Sequence, residues 1–399
     1  MDPLPILERL VTIPSWRSAD NPDVEAGVSE YLTELIQQEL PWLHIDHQAV
    51  EGNRFNIFAT DGAPTQLLFV GHLDTKPPGG EWTRRATGER VGNRYYGRGT
   101  VDPKGGVAAL LAALAVAGAT KGVGVLLYCD EVYDCHGMRT FLAEVRSRVR
   151  PSFAIAMQPT KLRIWNGCRG VGEFRPIVRG KPGFAATPLS GGRSALTAFV
   201  GGMRALDAFL ESRANSAFGR MTVNVAALRC GQSRGRHDGR EVLGEERNII
   251  PDYAEGVIEV RTSPGVDLDA CVAAFDGGVV AAGGRLDGTM KRIDFHGYHV
   301  PPEQLSPLAD AIAAVLGRPA EFEALEAHGY SDAQLLNDQL DVPTAMFGPS
   351  GGNYHAADEF VELESIGQVQ AVLERVLKPY RVGASTVATT ARSRARVAS

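Results

Sequence analysis

Histidine and carboxylate residues gather at the ends of apolar runs in this chain, and their types suit metal binding and proton transfer. TQLLFVGH closes on His72, with Asp74 two residues later; GVGVLLYCDE closes on Asp130 and Glu131; FAIAMQP carries Gln158; His355 follows VPTAMFGPS. Residues two apart on a strand share a face, so His72 and Asp74 point the same way, and the carboxylate is placed to fix the imidazole tautomer as a supporting group does at metal sites. A metal-binding histidine is the inference. Asp102 sits in GRGTVDPKGGVAAL, on a loop held by Pro103 and followed by Gly105, Gly106 and a helix. A carboxylate there is either a charged helix start near the positive end of the dipole or a ligand.

The elements that must position these residues follow from periodicity. PLPILERLVTIPS and VEAGVSEYLTELIQQEL read as amphipathic helices, and FNIFAT, TQLLFVGH, GVGVLLYCDE and FAIAMQP read as continuous apolar strands, with the helix GGVAALLAALAVAG among them. Apolar strands alternating with helices indicate a largely parallel sheet buried on both faces. Ligands of such sheets bind beyond the carboxyl ends of the strands, where the polar residues lie. From about Gly170 the segments VGEFRPIVRG, MTVNVAALRC and YAEGVIEVRT alternate apolar and polar residues, as one-faced antiparallel strands do. Near His296 the first style resumes. The expected class is α/β: a mostly parallel-sheet catalytic domain over 1–170 and 294–382, an inserted α+β module over 171–293, and a disordered tail over 383–399.

Nine pieces occur in the order in which one family carries them: GHLDT, GRGTVDPKGG, the acid pair near Glu131, QPT, GKPGFAATP, NIIP, EVRTSPG, GYSDA and HAADE. Over nearly its whole length the chain resembles the acetylornithine deacetylase, succinyl-diaminopimelate desuccinylase and carboxypeptidase G group of metallo-amidohydrolases. The resemblance implies a two-zinc, zinc-hydrolase-like catalytic domain with an inserted lid that commonly forms a homodimer interface. It implies that His72 binds one metal, His355 the other, and Asp102 bridges them, with Asp74 steadying His72. A glutamate of the acid pair takes a proton from water, and lid residues Asn248 and Arg261 hold a substrate carboxylate. The chemistry implied is hydrolysis of an amide next to a carboxylate-bearing amino acid. His328 and Ser331, in and beside GYSDA, are further candidates for substrate contact.

Three departures qualify the resemblance. The family has two adjacent glutamates, base then ligand, where this chain reads CDEVYDCHG. Without a gap, Glu131 is the base and Val132 takes the ligand position; with one inserted residue, Asp130 is the base and Glu131 the ligand. Gln158 replaces the glutamate of an EPT motif, and Phe184 replaces a lid histidine that stabilises the oxyanion. Asp134, Cys135 and His136 are alternative donors in the same loop. Two divalent cations about 3.5–4 Å apart need several carboxylates between and around them. The expectation is therefore one zinc ion at most, or none.

Composition narrows the rest. With 399 residues the chain exceeds a single core of about 250 residues, and a formal net charge of −6 supplies no electrostatic drive toward nucleic acid. No apolar run reads as a membrane span, the amino terminus lacks the order of a signal peptide, and the five cysteines are scattered, so a cytoplasmic protein with reduced thiols is expected. The leading expectation is an amidohydrolase acting on a small N-acyl amino acid or short peptide. The alternatives are a non-hydrolytic enzyme of the same fold, performing acyl transfer, cyclisation or rearrangement, and a non-catalytic binder of an amino-acid-like ligand.

Overall fold

The computed structural model describes residues 1–18, 23–145, 149–187, 191–215, 217–327 and 330–383. These divide into two compact units: Met1–Asn166 with Val300–Glu323 and the described residues from Ser331 onward, and Gly167–His299 with Ala324–Tyr330. The second unit is larger than the module expected over 171–293. Its strands Gly170–Arg179 and Arg285–Phe295 pair along their lengths, and beyond them Cys168 pairs with Tyr298. All but the first residue of the expected disordered tail lies outside the described residues.

The first unit is built on a six-stranded sheet in the order His44–Glu51, Arg54–Thr60, Val123–Tyr128, Leu67–His72, Phe153–Met157, Thr344–Phe347. The last four strands run parallel, and an antiparallel hairpin closes one edge. Every residue of Leu67–His72, Val123–Tyr128 and Phe153–Met157 is buried, as apolar runs without polar alternation require. The stretch Thr100–Ala117 is long and apolar enough by composition to cross a membrane, but 83% of it is buried inside the unit, as for a core helix.

A smaller antiparallel sheet joins Gly351–Gly352, Phe360–Glu362, Arg94–Tyr96 and Glu89–Val91. Its pairing of Phe360 with Tyr96 brings the segment before Asp102 against the segment after His355. Strands of two or three residues carry no readable period, so this sheet has no counterpart in the sequence reading.

The second unit is a five-stranded antiparallel sheet in the order Arg240–Gly244, Thr222–His237, Tyr253–Thr262, Gly170–Arg179, Arg285–Phe295. Helices Ala195–Ser212 and Leu268–Ala281 start on side-chain caps from Ser194 and Asp267, which accept the backbone N–H three residues on. Phe174, Ile258 and Val260 of the sheet pack with Phe199, Leu206 and Phe275 of the helices in one buried core.

Candidate functional site

The strand Leu67–His72 ends in a buried imidazole whose two nitrogens face different partners. Nδ1 lies 3.1 Å from the Asp74 backbone carbonyl and 3.5 Å from its carboxylate, so the carbonyl is the nearer partner. The Asp74 carboxylate instead accepts from the backbone N–H groups of Glu131, at 3.1 Å, and Val132, at 2.8 Å. It thus ties the loop after strand Val123–Tyr128 to the loop after His72.

His72 Nε2 lies 3.1 Å from Asp102 Oδ1, and His355 Nε2 lies 3.0 Å from Asp102 Oδ2, so one carboxylate is flanked oxygen by oxygen by residues 30 and 253 positions away. Asp102 is placed by a chain reversal that glycine makes possible. Gly99 has φ +83°, and a β-carbon on Gly105 would stand 2.6 Å from the Thr100 carbonyl. The buried Glu359 accepts from the backbone N–H groups of Val101, at 3.3 Å, and Asp102, at 3.4 Å. Its other oxygen takes Arg98 Nη1 at 2.6 Å. Glu359 follows His355 by four residues, so the same carboxylate fixes the distance between both sides of the centre. His355 itself holds a left-handed backbone, φ +65°, a strained conformation of the kind that clusters at functional sites.

The Asp74 carbonyl only accepts hydrogen bonds, so Nδ1 carries the proton there. A neutral His72 then directs a bare Nε2 lone pair at a carboxylate oxygen. That arrangement requires a cation between them, either a proton or a metal ion. Burial works against charge on His72, but Glu131, Asp102 and Asp74 outweigh it and hold the imidazole well above its ordinary range. A tetrahedral ion with bonds of about 2.0–2.2 Å would space the same two donors about 3.3–3.6 Å apart, a few tenths of an ångström beyond the 3.1 Å found. Among the described residues no group of three His, Cys, Asp or Glu side chains is arranged to hold a metal. Val132 is buried hydrocarbon, and the Gln158 amide donates to Ser331 Oγ at 3.4 Å. The donors that do meet are the two imidazoles and the one carboxylate of His72, His355 and Asp102.

The two acids of CDEVYDCHG part company. Asp130, offered above as a base, turns away from His72 and bonds Arg54 Nη2 at 2.8 Å, with Arg17 Nη2 at 3.4 Å. Glu131 is the acid that interacts with His72, Asp102 and Asp74. Burial pushes its carboxyl up from the ordinary range; His72 opposes this, and Asp332 adds to it. Of the alternative donors, His136 lies with its Nδ1 3.5 Å from the Asp130 carboxylate, which also takes the backbone N–H groups of Asp134 and His136, and the buried Cys135 thiol faces the Glu131 carbonyl.

Asp332, to which the sequence reading gave no role, is fully buried in the same neighbourhood. Its Oδ1 accepts from Tyr128 at 2.6 Å, and its Oδ2 has no partner among the described residues. Burial pushes this carboxyl up as well. Its place beside Ser331 in GYSDA was the available clue, as HAADE was for Glu359.

The remaining substrate candidates fall elsewhere in the described chain or outside it. His328 lies outside the described residues. Asn248 and Arg261 belong to the second unit. There Asn248 is exposed, its carbonyl accepting from Ala185, and Phe184 pairs with Ile249 and is 52% exposed. Arg261 forks on Glu259 at 3.0 Å through both Nε and Nη2 and stacks on Tyr330, its centre 5.2 Å from the ring.

The model of Peptidase family M20/M25/M40 matches residues 68–378. Acetylornithine deacetylase of Salmonella arizonae is 26% identical over 375 residues, covering 88% of this chain and 92% of that protein. N-acetyl-L-citrulline deacetylase of Xanthomonas campestris pv. campestris is 28% identical over 390 residues, 93% of this chain and 97% of the relative. Among solved structures, an M20 family metallo-carboxypeptidase from Sulfolobus solfataricus superposes with a TM-score of 0.71 at 16% identity, covering 95% of this chain and 99% of that one.

Proposed function

The chain belongs to Peptidase family M20/M25/M40, and on that premise we propose that it is a metal-assisted amidohydrolase of N-acylated or peptide-linked amino acids. The observation that carries the reading is the single carboxylate of Asp102 flanked by His72 and His355. His72 and Asp102, with the Gln158 amide oxygen, would hold one divalent ion, zinc being the expected metal. When bound, the ion supplies Lewis-acid polarisation of the scissile carbonyl and a more acidic water.

The chain's own groups do the rest. Glu131 takes the proton of the attacking water and returns it to the leaving amine; a carboxyl raised by burial is suited to that exchange near neutral pH. Asp74 holds the Glu131 backbone by its N–H and keeps the His72 tautomer fixed through its carbonyl. Asn248 and Arg261 are the proposed partners of the substrate carboxylate, Arg261 by exchanging Glu259 for it. His328 and Ser331 remain proposed substrate contacts, and the second unit is the proposed lid and homodimerisation module of a cytoplasmic protein.

A second reading has its own support. With Glu131 taken as the base, Val132 stands where the resembled family has a ligand, and Phe184 stands where it has an oxyanion donor, whose loss lowers turnover about a hundred- to a thousandfold. That favours a reaction in which water is not the nucleophile, or binding without turnover. The test is metal analysis of protein purified without chelator, with turnover on a panel of N-acyl amino acids and dipeptides. The hydrolase reading expects up to one equivalent of metal and chelator-sensitive amide cleavage. Metal-free protein that cleaves nothing while releasing a rearranged or acyl-transferred product would replace it with the second.

A further inference from the structure

Behind the centre lies a buried ion cluster that no step above uses. Arg54 opens the strand Arg54–Thr60 and is 4% exposed, and Glu25 and Asp130 are fully buried. The Arg54 guanidinium forks on Glu25, Nε to Oε2 at 2.7 Å and Nη2 to Oε1 at 2.9 Å, and its Nη2 also reaches Asp130 Oδ1 at 2.8 Å. Glu25 Oε1 accepts from the Asp130 backbone N–H at 2.9 Å. Exposed Glu51 lies 3.5 Å from Nη1, and Arg17 and His136 approach Asp130 from the outside.

A buried cluster of this kind adds little to stability compared with a well-packed apolar replacement, because desolvation offsets most of the attraction. What it fixes is a conformation. Asp130 holds a left-handed backbone, φ +71°, and its carboxylate and carbonyl collect the N–H groups of Asp134, His136 and Cys135, winding the loop around it. The next two residues then direct their N–H groups at Asp74. We propose that Arg54, clamped by Glu25, is a positioning residue for Glu131. By holding Asp130 turned away from His72, it makes Glu131 the acid that faces the centre and sets where its carboxylate stands.

This rests on the assignment of Glu131 as base in the proposed hydrolysis, so the experiment carries a readout that needs no turnover. Arg54→Lys keeps the charge and loses the planar fork. The expected result is a folded protein whose kcat on the best substrate of the panel falls about 10- to 100-fold with KM within about twofold, the size associated with a misplacement of about 1 Å. In protein labelled with 15N-histidine, the imidazole signals of His72 should move, because the chain of contacts from Asp130 through Asp74 ends on them.

Arg54→Met strands two buried carboxylates and is expected to unfold. The double variant Arg54→Met with Glu25→Gln restores the charge balance without the clamp, and should fold while remaining slow and spectrally shifted. A folded Arg54→Lys with wild-type kcat and unmoved His72 signals overturns the proposal, as does a double variant that recovers both. If the wild type cleaves nothing, the hydrolase reading fails by itself, and the His72 signals still decide whether Arg54 positions the loop.

Discussion

Glu359 and Arg98 form a pair that is 1% exposed on each side, joined at 2.6 Å, and the other oxygen of Glu359 serves the backbone of Val101 and Asp102. Glu359→Gln preserves the shape but leaves the guanidinium buried without a counter-charge and turns an amide toward it. Breaking a buried pair from one side costs about 3–5 kcal/mol. In a unit of this size each kcal/mol lowers the melting temperature by about 2–4 °C, so a fall of about 6–20 °C is expected by calorimetry at pH 7. Arg98→Met should cost a similar amount. The double variant should cost less than the sum of the singles by at least about 2 kcal/mol, because the stranded charge is removed with its partner. Metal affinity should fall in all three, since the acceptor of the Asp102 N–H loses its charge when Glu359 is replaced and loses the guanidinium that holds it in place when Arg98 is replaced. Single variants that melt within about 2 °C of wild type, or strictly additive losses, would refute the view that this carboxylate locks the two sides of the centre together.

Val132→Glu with Gln158→Glu should raise bound zinc above that of the wild type, and added zinc should raise its melting temperature by linkage while the chelated variant melts below wild type; equal metal content in the two proteins would show that more than these positions has been remodelled. Phe184→His should raise the rate of amide cleavage by at least about tenfold if a missing oxyanion donor limits it, read as kcat at saturating substrate. Asp287 is held by Arg179 at 3.1 Å and Arg285 at 2.7 Å, which keep its carboxyl below the ordinary range. Its contribution is therefore complete above about pH 4 and disappears as pH falls through the depressed value. Asp287→Asn should melt about 2 °C lower at neutral pH, a pair so exposed contributing under about 1 kcal/mol, and the gap should close toward pH 2. A gap that widens in acid would reverse the assigned sign.

The parallel sheet was legible because its strands are apolar without alternation, and the second unit because its strands alternate; both are local patterns. His72, Asp102 and His355 were legible as types at strand ends and in matched motifs. What holds them was not. Asp332 meets Tyr128 across 204 residues, Glu359 meets Arg98 across 261, and Arg54 meets Asp130 across 76, and no local period encodes such pairings. A charge opening a largely apolar, buried strand, as Arg54 does, announces only that some partner must be found. The register of CDEVYDCHG was open for the same reason. Asp130 and Glu131 are both acids at a strand end, and their different directions follow from a left-handed residue and an arginine on a neighbouring strand.

These supports bear on how a centre can change without the fold failing. His72 is oriented by the Asp74 carbonyl, Asp102 by Glu359, and the Glu131 loop by Asp74 and Asp130, each through protein groups alone. None of these bonds uses the side chain of residue 132, 158 or 184. On the proposed hydrolytic reading, substitution at those three positions would change how many cations are held and how charge on the carbonyl oxygen is met, while the His72–Asp102–His355 geometry would keep its supports. The converse also follows. Replacing Glu359 or Arg54 should disturb the centre even though neither is proposed to touch metal or substrate, so a His72–Asp102–His355 geometry that shifts with distant buried charges but not with residues 132 and 158 is the pattern that separates a positioned site from a decayed one.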